Sequence, residues 1–331
     1  MRFAWHQKSW EAVGRLVDRL PHALLIHGPA GIGKVAFAEY FTQFLLCESR
    51  TAGGEPCGTC DGCRWFLAGS HPDVRRVEPE ILAKRVPDED EAPCQRSAKP
   101  SSEIKVEQVR DLADFLALGS HRGRLRIALV HPAEDMNLHA ANALLKGLEE
   151  PPPGAVFILV SHRPGKLLPT VRSRCIAVPM QVPETAAGLA WLAAQGLDNG
   201  ARWLAFAGGA PLRALEYGRG QRREVILRML AALGSGNASE LAALVETRED
   251  LALMAEVLQK FAMDKALPST QATAAGYRTV DSTAAQPPQM REWLAFARRM
   301  GRDRALASHP LNPKLFAAEM LAAMPGLQRE R

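Results

Sequence analysis

No apolar run in the 331 residues approaches the roughly 18 needed to cross a bilayer. The opening MRFAWHQKSWEAVGRL reads as one amphipathic helix rather than a secretory leader, so the expectation is a cytoplasmic protein with no membrane partner. Charge of one sign is not in large excess: 41 Lys and Arg against 36 Asp and Glu leave +5, too mild on its own to indicate a polyanion-binding surface. No short-period repeat is present. Cysteine is scarce, six residues in all, and unevenly spread. Two further absences are local. A hydroxyl is missing after Lys34, where Val35 stands, and carboxylates are missing at the end of the apolar segment RLRIALV, where His131 and Pro132 stand.

The first of these gaps interrupts a phosphate-binding loop. Residues 28 to 34 spell GPAGIGK between a short apolar strand, HALLIHG, and a segment, VAFAEYFTQFLLC, whose apolar residues recur at helical spacing. In that context Gly28, Gly31 and Gly33 let the backbone turn its N–H groups toward a di- or triphosphate, and Lys34 reaches the outer phosphates. The residue after the lysine ordinarily holds Mg²⁺ through a hydroxyl, which Val35 lacks. A hydrolysing ATPase also needs an acidic pair at a neighbouring strand end. Glu134 and Asp135 lie a few residues beyond His131 but belong, by position, to the following turn. The loop is expected to bind ATP or ADP, if at all, without turnover.

Later segments continue the pattern. IKVEQVRDLADFLAL and AANALLKGLEE read as helices, the second closed by Pro151 to Pro153, while RLRIALV and AVFILVS read as buried strands; the alternation predicts a parallel sheet. Residues 79 to 103 are rich in Pro, Ser and charge without a sustained period and are expected to form a mobile loop. Beyond about Val182 strand signals stop. Helical segments follow, as a small bundle near 183 to 223 and a larger one after it, with 331 residues ample for two or three domains.

Four of the six cysteines, Cys47, Cys57, Cys60 and Cys63, fall within 17 residues, while Cys94 and Cys175 stand apart. In a reducing compartment such crowding points to metal before disulfides. Four thiolates suit tetrahedral Zn²⁺ in a structural role, with Gly58 and Gly62 in the turns. An iron–sulfur cluster is the competing ligand, but its pattern asks for a fourth Cys at position 67, which is Leu. Arg174, in LLPTVRSRC, is on its own either a surface ion-pair residue or an arginine finger that reaches a neighbour's phosphate site. Two groups, Arg202, Arg213, Arg219, Arg222, Arg223 and Arg228, and Arg291, Arg298, Arg299, Arg302 and Arg304, face either a polyanion or solvent.

HALLIHGPAGIGK, the cysteine cluster, HPD at 71 to 73, IKVEQVR, ANALLKGLEEPP and LLPTVRSRC together resemble the delta-prime family of bacterial DNA polymerase III clamp-loader subunits, densely over about residues 5 to 220; LNPKLFAAEMLAAM resembles that family's last helix. The resemblance implies an AAA+ P-loop core with a parallel sheet over 1–182, carrying a zinc module at about 47–63, then a small helical lid over 183–223 and an all-helical collar over 224–331 for oligomerisation. It implies a hetero-pentamer with the gamma/tau ATPase subunits and delta, acting on the sliding clamp and primed DNA through the assembled complex. It further implies no enzyme activity of the chain's own, with Ser173 and Arg174 of the SRC motif acting in trans at the adjacent ATPase subunit. Where an ATPase relative has a nucleotide-sensing Arg in the lid, GAPLRAL places Leu212, with Arg213 one step away. The rival expectations are an active AAA+ ATPase, against which Val35 and His131–Pro132 count, and a zinc-containing DNA-binding module.

Overall fold

A computed structural model describes residues 2–51, 54–83, 100–120, 125–267, 287–307, 309 and 311–326. Most of the segment expected to be mobile, including Cys94, lies outside the described residues, as does most of the TVDSTAAQPP cluster. The chain divides into two units, Met1–Val182 and Pro183–Arg331.

In the first unit, helix α1 (Gln7–Gly14) precedes strand β1 (Ala23–His27) and helix α2 (Lys34–Leu46); helix α3 (Asp61–Leu67) and strand β2 (Val74–Val77) follow. Helix α4 (Val106–Ala117), strand β3 (Arg126–Val130), helix α5 (Leu138–Glu149), strand β4 (Ala155–Ser161), helix α6 (Pro169–Arg172) and strand β5 (Ile176–Pro179) complete it. The sheet is parallel, in the order β2-β3-β4-β1-β5. Its three inner strands are β-branched or apolar along almost their whole length because helices cover both faces, and β3 and β4 are buried throughout. The sequence does not announce the two edge strands. β2 is VRRV, with only Val77 buried, and β5 is IAVP, with only Val178 buried; an edge strand has one neighbour and shows a weak apolar signature.

Parallel pairing brings the carboxyl ends of β1, β3 and β4 to one edge, His27 beside Ser161 and Val130 beside Leu159. In open α/β sheets this edge is where ligands dock. The HPD motif serves the other end. His71 and Asp73 are buried; the Asp73 N–H donates to His71 Nδ1 at 3.1 Å, its C=O accepts from Ile127 N–H, and its carboxylate lies 3.7 Å from buried Arg126 of β3.

The second unit is helical among its described residues: α7 (Thr185–Ala194), α8 (Gly200–Phe206), α9 (Pro211–Arg219), α10 (Arg223–Ser235), α11 (Ala238–Ala243), α12 (Arg248–Ala266), α13 (Pro287–Leu306) and α14 (Pro313–Ala322). One continuous buried cluster joins Leu192, Trp203 and Phe206 to Met229, Leu258, Met300 and Met320. Caps mark several starts: Thr247 and Asp250 bond reciprocally at α12, and the Asn312 side chain accepts from Lys314 and Leu315 N–H at α14, where Pro313 fills a position needing no donor. No helix among the described residues is long and apolar enough to cross a membrane.

Candidate functional site

The phosphate loop leaves β1 and enters α2 as its sequence requires. Gly31 and Gly33 take φ of 80° and 87°, which an L side chain rarely adopts, and Gly33 caps α2. A Cβ on Gly28 would lie 2.1 Å from the carbonyl oxygen of Met180, the residue after β5, so the close approach of the loop to that strand's end admits only glycine there. Lys34 is almost completely buried and its ammonium donates to the Pro29 carbonyl of the loop itself. Burial brings Lys34 down to about 8, with the charge of Glu134 opposing.

Residues 2 to 6 lie over this loop. Trp5 Nε1 and His6 Nε2 both donate to the Ile32 carbonyl, at 3.0 and 2.8 Å, and the Phe3 ring stacks on Trp5 and occupies the space beside Gly33. Trp10 of α1 packs edgewise on Phe37, Phe41 and Phe44 of α2. Arg2 donates to Glu55 at 3.0 Å, in the loop between Cys47 and Cys57. None of these contacts follows from a motif in the sequence.

At the ends of the neighbouring strands stand His131, after β3, and His162, after β4. Glu134 does lie in the turn that follows β3, yet its carboxylate is 1% exposed rather than solvated, because it accepts from the His162 backbone N–H at 2.9 Å and faces Arg163 at 3.8 Å. The donor set fits the phosphates of a nucleotide, through loop N–H groups and Lys34. It does not fit Mg²⁺ in the ATPase manner: Val35 offers no oxygen, an imidazole replaces the strand-end carboxylate, and the nearest carboxylate is already engaged.

The four cysteines converge. Their Sγ atoms all lie within 4.8 Å of one another, with Cys57–Cys63 and Cys60–Cys47 at 4.0 Å. Four sulfurs at a Zn–S bond of about 2.3 Å stand roughly 3.8 Å apart, so the cluster fits Zn²⁺. The loop supplies N–H donors to sulfur: Cys57 N–H to Cys47, Cys60 N–H to Cys57 and Cys63 N–H to Cys60, at 3.3 to 3.4 Å. Those from Cys60 and Thr59 hold the Cys57 thiol down at about 6, whereas burial pushes Cys63 up to about 12. Gly62 is needed because a Cβ there would meet the Leu46 carbonyl oxygen at 2.6 Å.

The SRC turn closes α6. Ser173 Oγ donates to the Thr170 carbonyl, Arg174 Nη1 donates to the same carbonyl at 2.9 Å, and Arg174 Nη2 pairs with Glu149 at 2.5 Å. Arg174 remains about one third exposed, and Cys175, raised to about 11 by burial, is tucked against Val171. Four of the grouped arginines are engaged by carboxylates of the same unit. Arg222 pairs with Glu249, Arg299 with Asp303 and Glu319, and Arg213 and Arg304 converge on buried Glu256. Arg213, one step from half-buried Leu212, is thus committed within the helical unit, donating to both Glu256 oxygens at 2.8 Å.

A phosphate loop on a parallel sheet of this order, followed by a helical unit, defines a P-loop protein of the AAA+ class. The family model described as "DNA polymerase III, delta subunit" matches residues 15–184, more than half of the chain. The chain is 41% identical over 227 residues to the DNA polymerase III subunit delta' of Pseudomonas aeruginosa, covering 67% of this chain and 63% of that protein. It is 39% identical over 171 residues to the subunit delta' of Yersinia pestis, 52% of this chain and 45% of that one. The subunit tau of Escherichia coli is 33% identical over 165 residues, half of this chain and 22% of tau. The match thus spans less than two thirds of these relatives' own length. The chain belongs to the DNA polymerase III delta-subunit family.

Proposed function

We propose that the chain is a delta-prime subunit of a clamp loader: it does not hydrolyse ATP itself but completes the ATPase site of an adjacent gamma/tau-type subunit with Arg174. Its partners would be those ATPase subunits and delta in a hetero-pentamer, which sets the sliding clamp on primed DNA. Residues 183–223 would serve as the lid and 224–331 as the oligomerising collar, and Cys47, Cys57, Cys60 and Cys63 would hold a structural zinc. The observation that carries this is the pairing of a correctly folded phosphate loop with the absence of both Mg²⁺-ligating positions, at Val35 and His131. A loop kept in shape with its metal chemistry gone favours a role in assembly. Arg174, about one third exposed and parked on Glu149 at the end of the SRC turn, suits service to a neighbour.

The test is a reconstituted complex carrying Arg174→Ala. DNA-stimulated ATP turnover should fall about tenfold or more while the subunits still co-elute, since an arginine finger stabilises charge that develops only in the transition state. Unchanged turnover would refute the role. The isolated native chain with Mg²⁺ and ATP should release no phosphate above background.

A further inference from the structure

His131 and His162 face each other at the mouth of the phosphate loop, their Nε2 atoms 3.1 Å apart and their rings edge to face. Two imidazoles approach this closely only when one N–H donates to the other's lone pair, so the contact shares a single proton. His162 Nδ1 is buried and has no hydrogen-bond partner among the described residues. The charged groups that face the pair are few. Lys34 comes from the first turn of α2, Glu134 from the turn after β3, and Arg163 from the segment after β4, itself 3.6 Å from Asp135. Burial first, with Lys34 added, holds both imidazoles at about 4, and Glu134 alone pulls upward. At neutral pH the pair is therefore uncharged and able to accept one more proton.

A nucleotide's di- or triphosphate brings several negative charges, which an ATPase neutralises with Lys and Mg²⁺ together. Here the metal's positions are Val35 and His131. A counter-charge can still come from solvent protons, because a unit negative charge about 5 Å away at an effective dielectric of about 20 favours imidazolium roughly a hundredfold or more. We propose that the phosphate loop, Lys34 and the His131–His162 pair form a seat that binds a nucleotide diphosphate without Mg²⁺ and takes up a proton on the histidine pair as it does so. Loop N–H groups and Lys34 hold the phosphates; the imidazolium supplies the charge that a metal would otherwise bring. The seat is a property of the lone chain and does not depend on the role proposed for Arg174, so either can fail without the other.

The experiment is nitrogen NMR of the full chain with ¹⁵N-labelled histidine, titrated with ADP at pH 6.5 in EDTA. Ring resonances of His131 and His162 are assigned by loss in His131→Asn and His162→Asn. If either variant fails to fold, the pair is identified in the native chain by the through-space contact between its own two rings, whose Nε2 atoms lie 3.1 Å apart. The expected result is that ADP moves these two histidines toward imidazolium shifts without metal, that apparent affinity rises at least threefold from pH 7.5 to 6.0, and that Lys34→Ala abolishes both. ADP that binds only with Mg²⁺, that saturates with both rings still neutral, or that does not bind at all overturns the proposal.

Discussion

Arg174 and Glu149 form an ion pair at 2.5 Å that ties the SRC turn to the last residue of α5. Both side chains retain considerable exposure, and pairs in such settings stabilise a fold by about 0 to 1 kcal/mol. Glu149→Gln should therefore lower the free energy of urea unfolding by less than about 1 kcal/mol. A loss of several kcal/mol would make Arg174 a structural residue instead of one held for a neighbour.

The cysteine cluster predicts one zinc per chain, measurable by mass spectrometry of the purified protein. Cys57→Ser with Cys60→Ser should remove it and lower the melting temperature of the native chain, since a structural zinc contributes several kcal/mol of folding free energy. Affinity should fall as pH drops, because only thiolates ligate. Retention of stoichiometric zinc by the double variant would place the metal elsewhere.

Glu256 is the most heavily used carboxylate among the described residues. It accepts from Arg213, Tyr217 and Lys260 at 2.7 to 2.8 Å and pairs with Arg304 at 2.9 Å. Burial works against its ionisation, but Lys260, Arg213 and Arg304 outweigh it and hold the group at about 2. At Lys260 the balance reverses, and burial brings it down to about 8 despite Glu256. Because the folded carboxyl titrates below its unfolded value near 4.3, its contribution is complete above that pH and is lost as pH falls toward 2. Glu256→Gln should cost about 1 to 3 kcal/mol at pH 7, by leaving half-buried Lys260 and Arg213 without their carboxylate, and the gap between variant and native chain should narrow in urea titrations at pH 3. An equal gap at both values would assign the cost to packing.

Gly33→Ala should destabilise the first unit by about 1 to 3 kcal/mol, since the added methyl requires a left-handed residue and meets the Phe3 ring at 2.6 Å. Trp fluorescence should report this early in unfolding, because Trp5 stacks on that same ring. A neutral substitution would show that residues 2 to 6 yield readily.

How much of this was legible depended on whether an interaction is local in sequence. The strand, glycine turn and helix around Lys34 could be read because each carries its own periodicity or backbone demand. The convergence of the four cysteines could be read from spacing alone. β2 and β5 could not, since VRRV and IAVP sit at sheet edges where alternation is weak. Glu134 looked like an ordinary turn residue because the N–H that holds it belongs to His162, 28 positions later. Arg213 looked like a member of a basic group because its acceptor is 43 positions away. One signal was available for that second case: Glu256 interrupts the apolar face of LALMAEVLQKF, and an acid there requires cations.

The Arg2–Glu55 bond links the first residues of the chain to the loop that carries the cysteines, while Trp5 and His6 grip the carbonyl of Ile32. The segment around residues 2 to 6 thus touches two sites that sequence reading treats as separate. Arg2→Ala should therefore free the loop between Cys47 and Cys57 at a cost of about 0 to 1 kcal/mol, as suits a partly exposed pair, while Trp5 and His6 keep their hold on Ile32.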